Sequence, residues 1–164
     1  MIPKLLEELK KFTEESTKDF SFPTAIQKGD TEQIFRAPEV HKMRLPEARS
    51  YSKYAPYIII QFVTSDDIQP EAERTESTAN IRMIFVVYDK DEETGALDLV
   101  NLMERVRSKL LTKTVIGKKF RLDRATGLKM LVYPSDVADT GPYYGGEMSM
   151  VFEMPSVERE VNFE

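Results

Sequence analysis

Four aspartates follow the two most apolar segments of the chain, and their positions could serve metal-dependent chemistry. Asp66 and Asp67 follow an apolar run at 57–63, and Asp89 and Asp91 follow the next apolar run along the chain. If the two runs form adjacent strands with facing ends, these carboxylates could hold two divalent cations for nuclease chemistry. No lysine or histidine motif supports such a site, so a metal-dependent nuclease is a distant alternative.

Asp89, Asp91 and Glu93 also have the alternate spacing of a calcium-binding loop. Such a loop needs glycine at its sixth position and a bidentate glutamate at its twelfth. Here Gly95 falls one place late and Val100 occupies the twelfth position. The pattern therefore does not predict an EF-hand.

The amino-acid composition excludes most other kinds of catalysis. The chain has 164 residues, no cysteine and one histidine, His41, which excludes thiol chemistry and any two-imidazole metal site within one subunit. His41 shares one face of a predicted strand with Met43 and Leu45, which predicts a partly buried histidine on a sheet face. The glycines at 141–146 fit neither a phosphate-binding loop nor a dinucleotide fingerprint. We expect a protein that is not an enzyme and uses no cofactor or metal.

The formal net charge of −5 argues against affinity for nucleic acid based on phosphate neutralisation. The longest apolar run, at 83–88, is far shorter than the roughly 20 residues that span a bilayer. Charged residues interrupt the leucines of segment 1–12, so it does not read as a secretory signal. We expect action in a cytoplasm, or in something assembled there, without a membrane partner.

The modest net charge conceals two strongly charged segments. Residues 64–98 hold ten acidic and three basic residues, a net charge of −7, whereas residues 104–124 carry a net charge of +6. An acidic surface can dock on the basic surface of a second copy, and such a head-to-tail contact closes into a ring when the rotation permits. Neutralisation within one chain is the alternative, and the sequence leaves both open.

The apolar periodicity predicts a single α+β domain over 1–164. A mainly antiparallel sheet is packed on one side by an N-terminal helix and by a main helix at about 96–112. The core stripes of the two helices are Leu5, Leu6, Leu9 and Phe12, and Leu99, Leu102, Met103, Val106 and Leu110. Between the central strands lies a polar segment, 64–80, which is either a projecting hairpin arm or a loop.

Alternating and apolar segments predict the strands. Those at 57–63 and 81–88 are apolar on both faces and should be central. The others are 34–36, 40–45, a hairpin of 119–122 with 128–133 around a turn at 125–127, and 147–154, whose methionines at 148, 150 and 154 should face the core.

Loose packing signatures occur at 56–59, 85–89, 95–107, 146–148 and 152–155. They read Pro-Tyr-Ile-Ile, Phe-Val-Val-Tyr-Asp, a Gly-Ala-Leu-Asp-Leu helix start, Gly-Glu-Met and Phe-Glu-Met-Pro. In these signatures, and over roughly residues 55–155, the chain resembles a group of tail-completion proteins of long-tailed bacteriophages and prophages, most closely the tail terminators.

The resemblance implies a virion structural protein without catalysis. Similar proteins form a hexameric ring on the last ring of the tail tube, stop its polymerisation and present the surface to which the head attaches. The implied partners are further copies of the chain, the tail tube protein and a head-completion or connector protein. DNA passes through the ring without sequence-specific binding. The implied location is the virion tail, assembled in the bacterial host cytoplasm.

A head–tail connector or neck protein is the nearest alternative. In either role, charged side chains of the two segments are expected at subunit or tube contacts, with two tyrosines as rigid anchors. The candidate interface residues are Asp66, Asp67, Glu71, Glu73, Asp89, Asp91, Arg105, Lys109, Lys118, Lys119, Arg121, Tyr143 and Tyr144. For the tyrosines, packing within a turn is the alternative.

Overall fold

A computed structural model of the chain describes residues 1–26, 29, 31–46, 54–70, 74–134 and 142–157. It contains two helices and a mostly antiparallel, curled sheet in one domain, with 28% helix and 39% strand. The predicted α+β class is confirmed. Neither helix in the described part is long and apolar enough to cross a membrane.

The first helix, α1 (Ile2–Thr17), buries Leu5, Leu6 and Leu9 against the sheet. It is a full turn longer than its apolar stripe predicts. Ser16 and Thr17 donate their hydroxyl hydrogens to the carbonyl oxygens four residues earlier, each at 2.8 Å. These bonds satisfy the hydroxyls inside the helix, so a polar segment continues it.

The second helix, α2 (Glu92–Lys113), is the predicted main helix. Asp91 caps it by accepting a hydrogen bond from the backbone N–H of Thr94 at 3.0 Å. All five residues of its predicted stripe are buried. Thr114, with a φ of 64°, turns the chain out of the helix towards the sheet.

The backbone pairing of the described residues defines nine strands. They are β1 (Phe22–Pro23), β2 (Phe35–Arg36), β3 (Glu39–Lys42), β4 (Tyr57–Ile68), β5 (Glu76–Tyr88), β6 (Val115–Ile116), β7 (Phe120–Leu122), β8 (Lys129–Val132) and β9 (Tyr143–Met154). β1 and β2 form a separate pair, and the main sheet has the order β3-β4-β5-β9-β7-β6, with β8 also on β9. Among the strand pairs of the described residues, only β3–β4 is parallel.

The sheet has two unequal faces. The inner face, including Phe85, Met148 and Phe152, packs with both helices into the main core. The outer face is covered at one end by a smaller cluster around Leu45 and Tyr88. The predicted central strands are confirmed, and Met148 and Met150 of the predicted methionine stripe are buried.

His41 lies on β3 and its side chain is 21% exposed, as the alternating pattern predicts. Its Nε2 is 3.1 Å from a carboxylate oxygen of Glu39, and its ring meets the edge of Tyr54. The strand is shorter than predicted because Met43, with a φ of 69°, turns the chain away after Lys42. Met43 and Leu45 therefore do not continue the face of His41.

The prediction of a hairpin between 119–122 and 128–133 is wrong. β7 and β8 do not pair with each other; both pair antiparallel with β9, one after the other. Leu122 faces Phe152 and Lys129 faces Ser149, so the residues between them bulge from an interrupted strand. Asp123 holds this bulge by accepting hydrogen bonds from the N–H of Ala125 and the hydroxyl of Thr126.

The polar segment between the central strands forms a hairpin arm where the structure describes it. β4 and β5 stay paired as far as Ile68 and Glu76, after a bulge near Phe62. β9 pairs along the other side of β5 up to Ser77. The arm therefore has a rigid three-stranded base.

Candidate functional site

The acidic segment is divided into two groups at opposite ends of β5. Asp66 lies opposite Thr78 near the start of β5, whereas Asp89 follows Tyr88 at its end. At about 3.3 Å per residue, roughly 35 Å separates the two groups. The four aspartates therefore cannot share a two-metal site, and the geometric premise of the nuclease alternative is wrong. No cluster of three or more potential metal ligands occurs among the described side chains.

The group beyond Tyr88 organises the start of α2. Asp89 accepts a hydrogen bond from the backbone N–H of Asp91 at 2.9 Å, and Asp91 caps the helix. Asp98 lies one to two turns into α2 and is partly buried. Its burial, followed by the charge of Asp89 and a hydrogen bond with it, raises the pKa of the Asp98 carboxyl above its usual range.

Replacing Asp98 by asparagine is expected to stabilise the protein slightly at neutral pH. A raised pKa means that the folded state disfavours the ionised carboxyl, so its cost is greatest at neutral pH and fades as the pH falls through that pKa. Asp98→Asn should raise Tm by up to about 2 °C at pH 7.

Thermal unfolding of both proteins between pH 7 and pH 4 measures this effect. The difference should shrink towards acid pH. An advantage of the asparagine variant that grows as the pH falls would contradict the assigned pKa direction. Asp66→Asn, the same change at an exposed aspartate on β4, is the control.

The cations of α2 are partly engaged within the chain. Arg105 donates to both carboxylate oxygens of Asp19, at 2.7 and 3.0 Å, and its guanidinium lies 4.6 Å from the ring centroid of Phe20. The hydrogen bond from Arg105 lowers the pKa of Asp19. Lys109 is exposed nearby and adds to that shift. Arg105 thus links the segment after α1 to α2. Its charge is neutralised within the chain, as the alternative to a contact between copies predicts.

The two candidate tyrosines pack mainly inside the subunit. Tyr144 is 7% exposed and faces Gly95 of α2, so its ring is not available as an interface anchor. Tyr143 is partly buried, and its ring centroid lies 5.3 Å from that of Tyr88. Both rings pack within the fold, but on β9 and not in a turn as the alternative supposed. Glu71 and Glu73 lie outside the described residues.

The remaining candidates lie at the two lateral edges of the sheet. A single row of paired residues crosses five strands here. The row consists of Asp66 on β4, Thr78 on β5, Glu153 on β9, Arg121 on β7 and Val115 on β6. Residues in such a row lie at one level of the sheet and on one face. The row is therefore acidic at the β4 edge and basic towards the β6 edge.

A notch of about 260 Å³ lies at the basic end of this row. Its lining residues are Val115, Lys118, Lys119, Phe120, Arg121, Glu153, Met154 and Pro155. Lys118 has a φ of 65° in the tight turn between β6 and β7, and both lysines are exposed. We call this feature the basic notch.

The acidic end of the row is an open strand edge. β3 pairs with β4 only from Tyr57 to Ile60, and in the part of the chain that the structure describes no strand continues along that side. The exposed residues at the end of β4 include Asp66, Asp67 and Ile68. We call these three residues the arm tip.

A wider groove of about 610 Å³ crosses the outer face between the β4 bulge and the β7–β8 bulge. Arg82 lies in it and donates two hydrogen bonds to the side-chain oxygen of Gln61, at 3.0 and 2.8 Å. The carboxylate of Glu147 accepts a long hydrogen bond, 3.4 Å, from the hydroxyl of Tyr133. The groove is open and mixed in charge, unlike the enclosed apolar pockets that hold small ligands.

Sequence reasoning named the charged residues of both edges but missed their apolar neighbours. Ile68 is 57% exposed and Val115 is 39% exposed, although both are β-branched strand residues. An isoleucine inside the polar segment 64–80 was the available signal. The sequence contains no comparable signal for Val115, because a valine after a helix is usually part of the core.

Neither the known family models nor the curated protein sequences contain a match to this chain.

Proposed function

We propose that this protein is a non-enzymatic virion component that caps the tail tube of a long-tailed bacteriophage as a homo-oligomeric ring, with six subunits as the expected number. The ring ends tube polymerisation and offers the surface to which the head attaches. One observation carries the proposal. A single rigid sheet has two lateral edges that are oppositely charged at the same level and on the same face.

This arrangement favours head-to-tail association. Two different edges meet in such a contact, so each added subunit leaves one edge of each kind until the ring closes. A two-fold contact through either edge alone would instead place like charges together, and that is unfavourable. The partial covering of the outer face and the helices on the inner face also make the surfaces of such a ring chemically different.

A difference between the two ring surfaces is what a terminator needs. One surface must complement the tube end, and the other must reject further tube subunits so that growth stops. The proposed partners are the tail tube protein on one surface and a head-completion or connector protein on the other. DNA would pass through the ring without sequence-specific contacts, and the final location would be the virion tail.

Tube growth in the presence of the purified chain tests the proposal. Tail tube protein is polymerised with and without a substoichiometric amount of the chain, and tube lengths and ends are measured by electron microscopy. We expect shorter tubes, each with extra density at one end. Unchanged lengths and bare ends would overturn the proposal. Binding to head-side connector without any effect on tubes would favour the neck-protein alternative.

A parallel incubation with DNA and Mg²⁺ or Mn²⁺ addresses the enzymatic alternative. We expect intact DNA, because the aspartates that could have held two cations are far apart. Cleavage that increases with protein concentration and disappears with chelator would overturn the non-enzymatic proposal.

A further inference from the structure

We propose that the arm tip of one subunit docks into the basic notch of the next subunit, and that this contact holds the ring together. The partner is a second copy of this chain. The inference deepens the proposed ring and rests on it for its biological setting, but the contact can be measured on the purified chain alone.

The arm tip presents an apolar side chain beside an acidic one. Asp66 and Ile68 are two residues apart on β4, so both side chains point from the outer face. Ile68 is 57% exposed, and Asp66 forms no ion pair with any described residue. Asp67 points to the opposite face, where it accepts a 2.6 Å hydrogen bond from the hydroxyl of Ser77. This bond fixes the tip without neutralising its charge.

The basic notch has the complementary composition. Val115, Met154 and Pro155 supply apolar lining for a side chain such as that of Ile68. Lys118 and Lys119 are exposed at its rim and form no ion pair within the described ranges. Arg121 is 3.9 Å from Glu153 across the strand pair, but their side chains are 68% and 50% exposed. Such an open pair is weak and leaves the guanidinium free to turn towards a stronger acidic partner.

The two features cannot meet within one subunit. β4 and β6 are separated by β5, β9 and β7, and four strand spacings amount to about 19 Å. The hydrogen-bonded strands between them hold the two features at opposite sides of the sheet. An arm tip can therefore reach only the basic notch of another copy, and because both lie on the outer face, copies related by rotation can repeat the contact.

Charge reversal on each side gives a sharp test. Variant A carries Asp66→Lys and Glu76→Lys, since Glu76 is exposed opposite Ile68 on the outer face whereas Asp67 faces away. Variant B carries Lys118→Glu and Lys119→Glu. Each variant alone places like charges at every contact, whereas a mixture restores opposite charges at both of its contacts. We expect A and B separately to need about tenfold or more higher concentration than the wild type to assemble. An equimolar mixture should form rings in which A and B alternate.

Native mass spectrometry and mass photometry measure the assemblies, and A and B can be told apart by mass. Matched controls change the same charge at exposed sites elsewhere. Glu14→Lys with Glu32→Lys controls for A, and Lys11→Glu with Arg44→Glu controls for B. Both controls should assemble like the wild type. A chain that carries both reversals should also assemble alone, which shows that the altered residues still allow folding.

Several outcomes would overturn the inference. They are assembly of A or B at wild-type concentrations, failure of the A and B mixture to recover, and loss of assembly in the controls to the same extent. Failure of the proposed function looks different. Rings that recover in the mixture but leave tube growth unaffected would refute tube capping and retain the contact. Tube capping that ignores both reversals would retain the function and refute the contact.

Discussion

Replacement of Phe85 by alanine is expected to lower the free energy of unfolding by about 3–5 kcal/mol. Phe85 is fully buried on β5, the strand that lies between β4 and β9. Its ring belongs to the core that joins both helices to the sheet. Its removal leaves a cavity that the paired strands on either side cannot collapse to fill.

Equilibrium unfolding in urea, followed by circular dichroism, measures this loss. Phe35→Ala is the control, because Phe35 is 58% exposed and its loss should change stability by no more than about 0.5 kcal/mol. Equal effects of the two substitutions would contradict the conclusion that the side chain of Phe85 stabilises the protein by packing in the core. Any assembly defect of Phe85→Ala should track the unfolded fraction, since the residue is remote from both edges of the sheet.

Replacement of Gly95 by alanine is expected to destabilise the protein by about 1–3 kcal/mol, against its helix propensity. Alanine normally favours a helix over glycine by about 1 kcal/mol. At this position, however, a Cβ atom would lie 2.3 Å and 2.6 Å from two ring carbons of Tyr144. The helix and β9 approach so closely here that one of them must move to admit a methyl group.

The neighbouring residue provides the comparison. Ala96 is exposed on the same turn of α2, and Ala96→Gly should cost about 1 kcal/mol through propensity alone. Tyr144→Leu should reduce the penalty of Gly95→Ala, so urea unfolding of the single and double variants forms a double-mutant cycle. A stabilising Gly95→Ala, or strict additivity with Tyr144→Leu, would show that the close approach does not constrain α2.

The elements that sequence predicts best are those whose periodicity agrees with their final burial. The stripe of α2 and the alternation of β9 describe one apolar and one polar face each, and both faces occur as expected. The hydrophobic pattern alone misses the end of α1. Its last turn is polar in sequence, yet Ser16 and Thr17 are buried there, with their hydroxyls bonded to carbonyls of the same helix.

The β7–β8 error has a different cause. The Ala-Thr-Gly segment has the residues of a reversal, and it does reverse locally around Asp123. β9 is long enough to pair with both flanking segments, so the sheet resumes beyond the bulge instead of folding into a hairpin. Turn residues predict that the chain reverses locally. They do not predict which strand each flanking segment pairs with, because that depends on residues distant in sequence.

Charge along the sequence is similarly incomplete as a guide to charge in space. Residues 64–98 form one acidic segment along the chain, but β5 carries its two halves to opposite ends of the sheet. Arg105 belongs to the basic segment and yet is bound to Asp19. The strand register shows which acidic and basic residues lie at the same level of the sheet. The candidate interface could therefore be identified only once that register was known.

A tag inserted in the bulge between β7 and β8 would report the orientation of the proposed ring. Its exposed residues at 124–126 leave and rejoin the same strand line, so added residues there displace neither partner of β9. Loops with close, fixed ends tolerate insertions at little thermodynamic cost. A short affinity tag placed in this bulge would mark every subunit with a visible label, and its height above the tube end in electron micrographs would report which way round the ring sits.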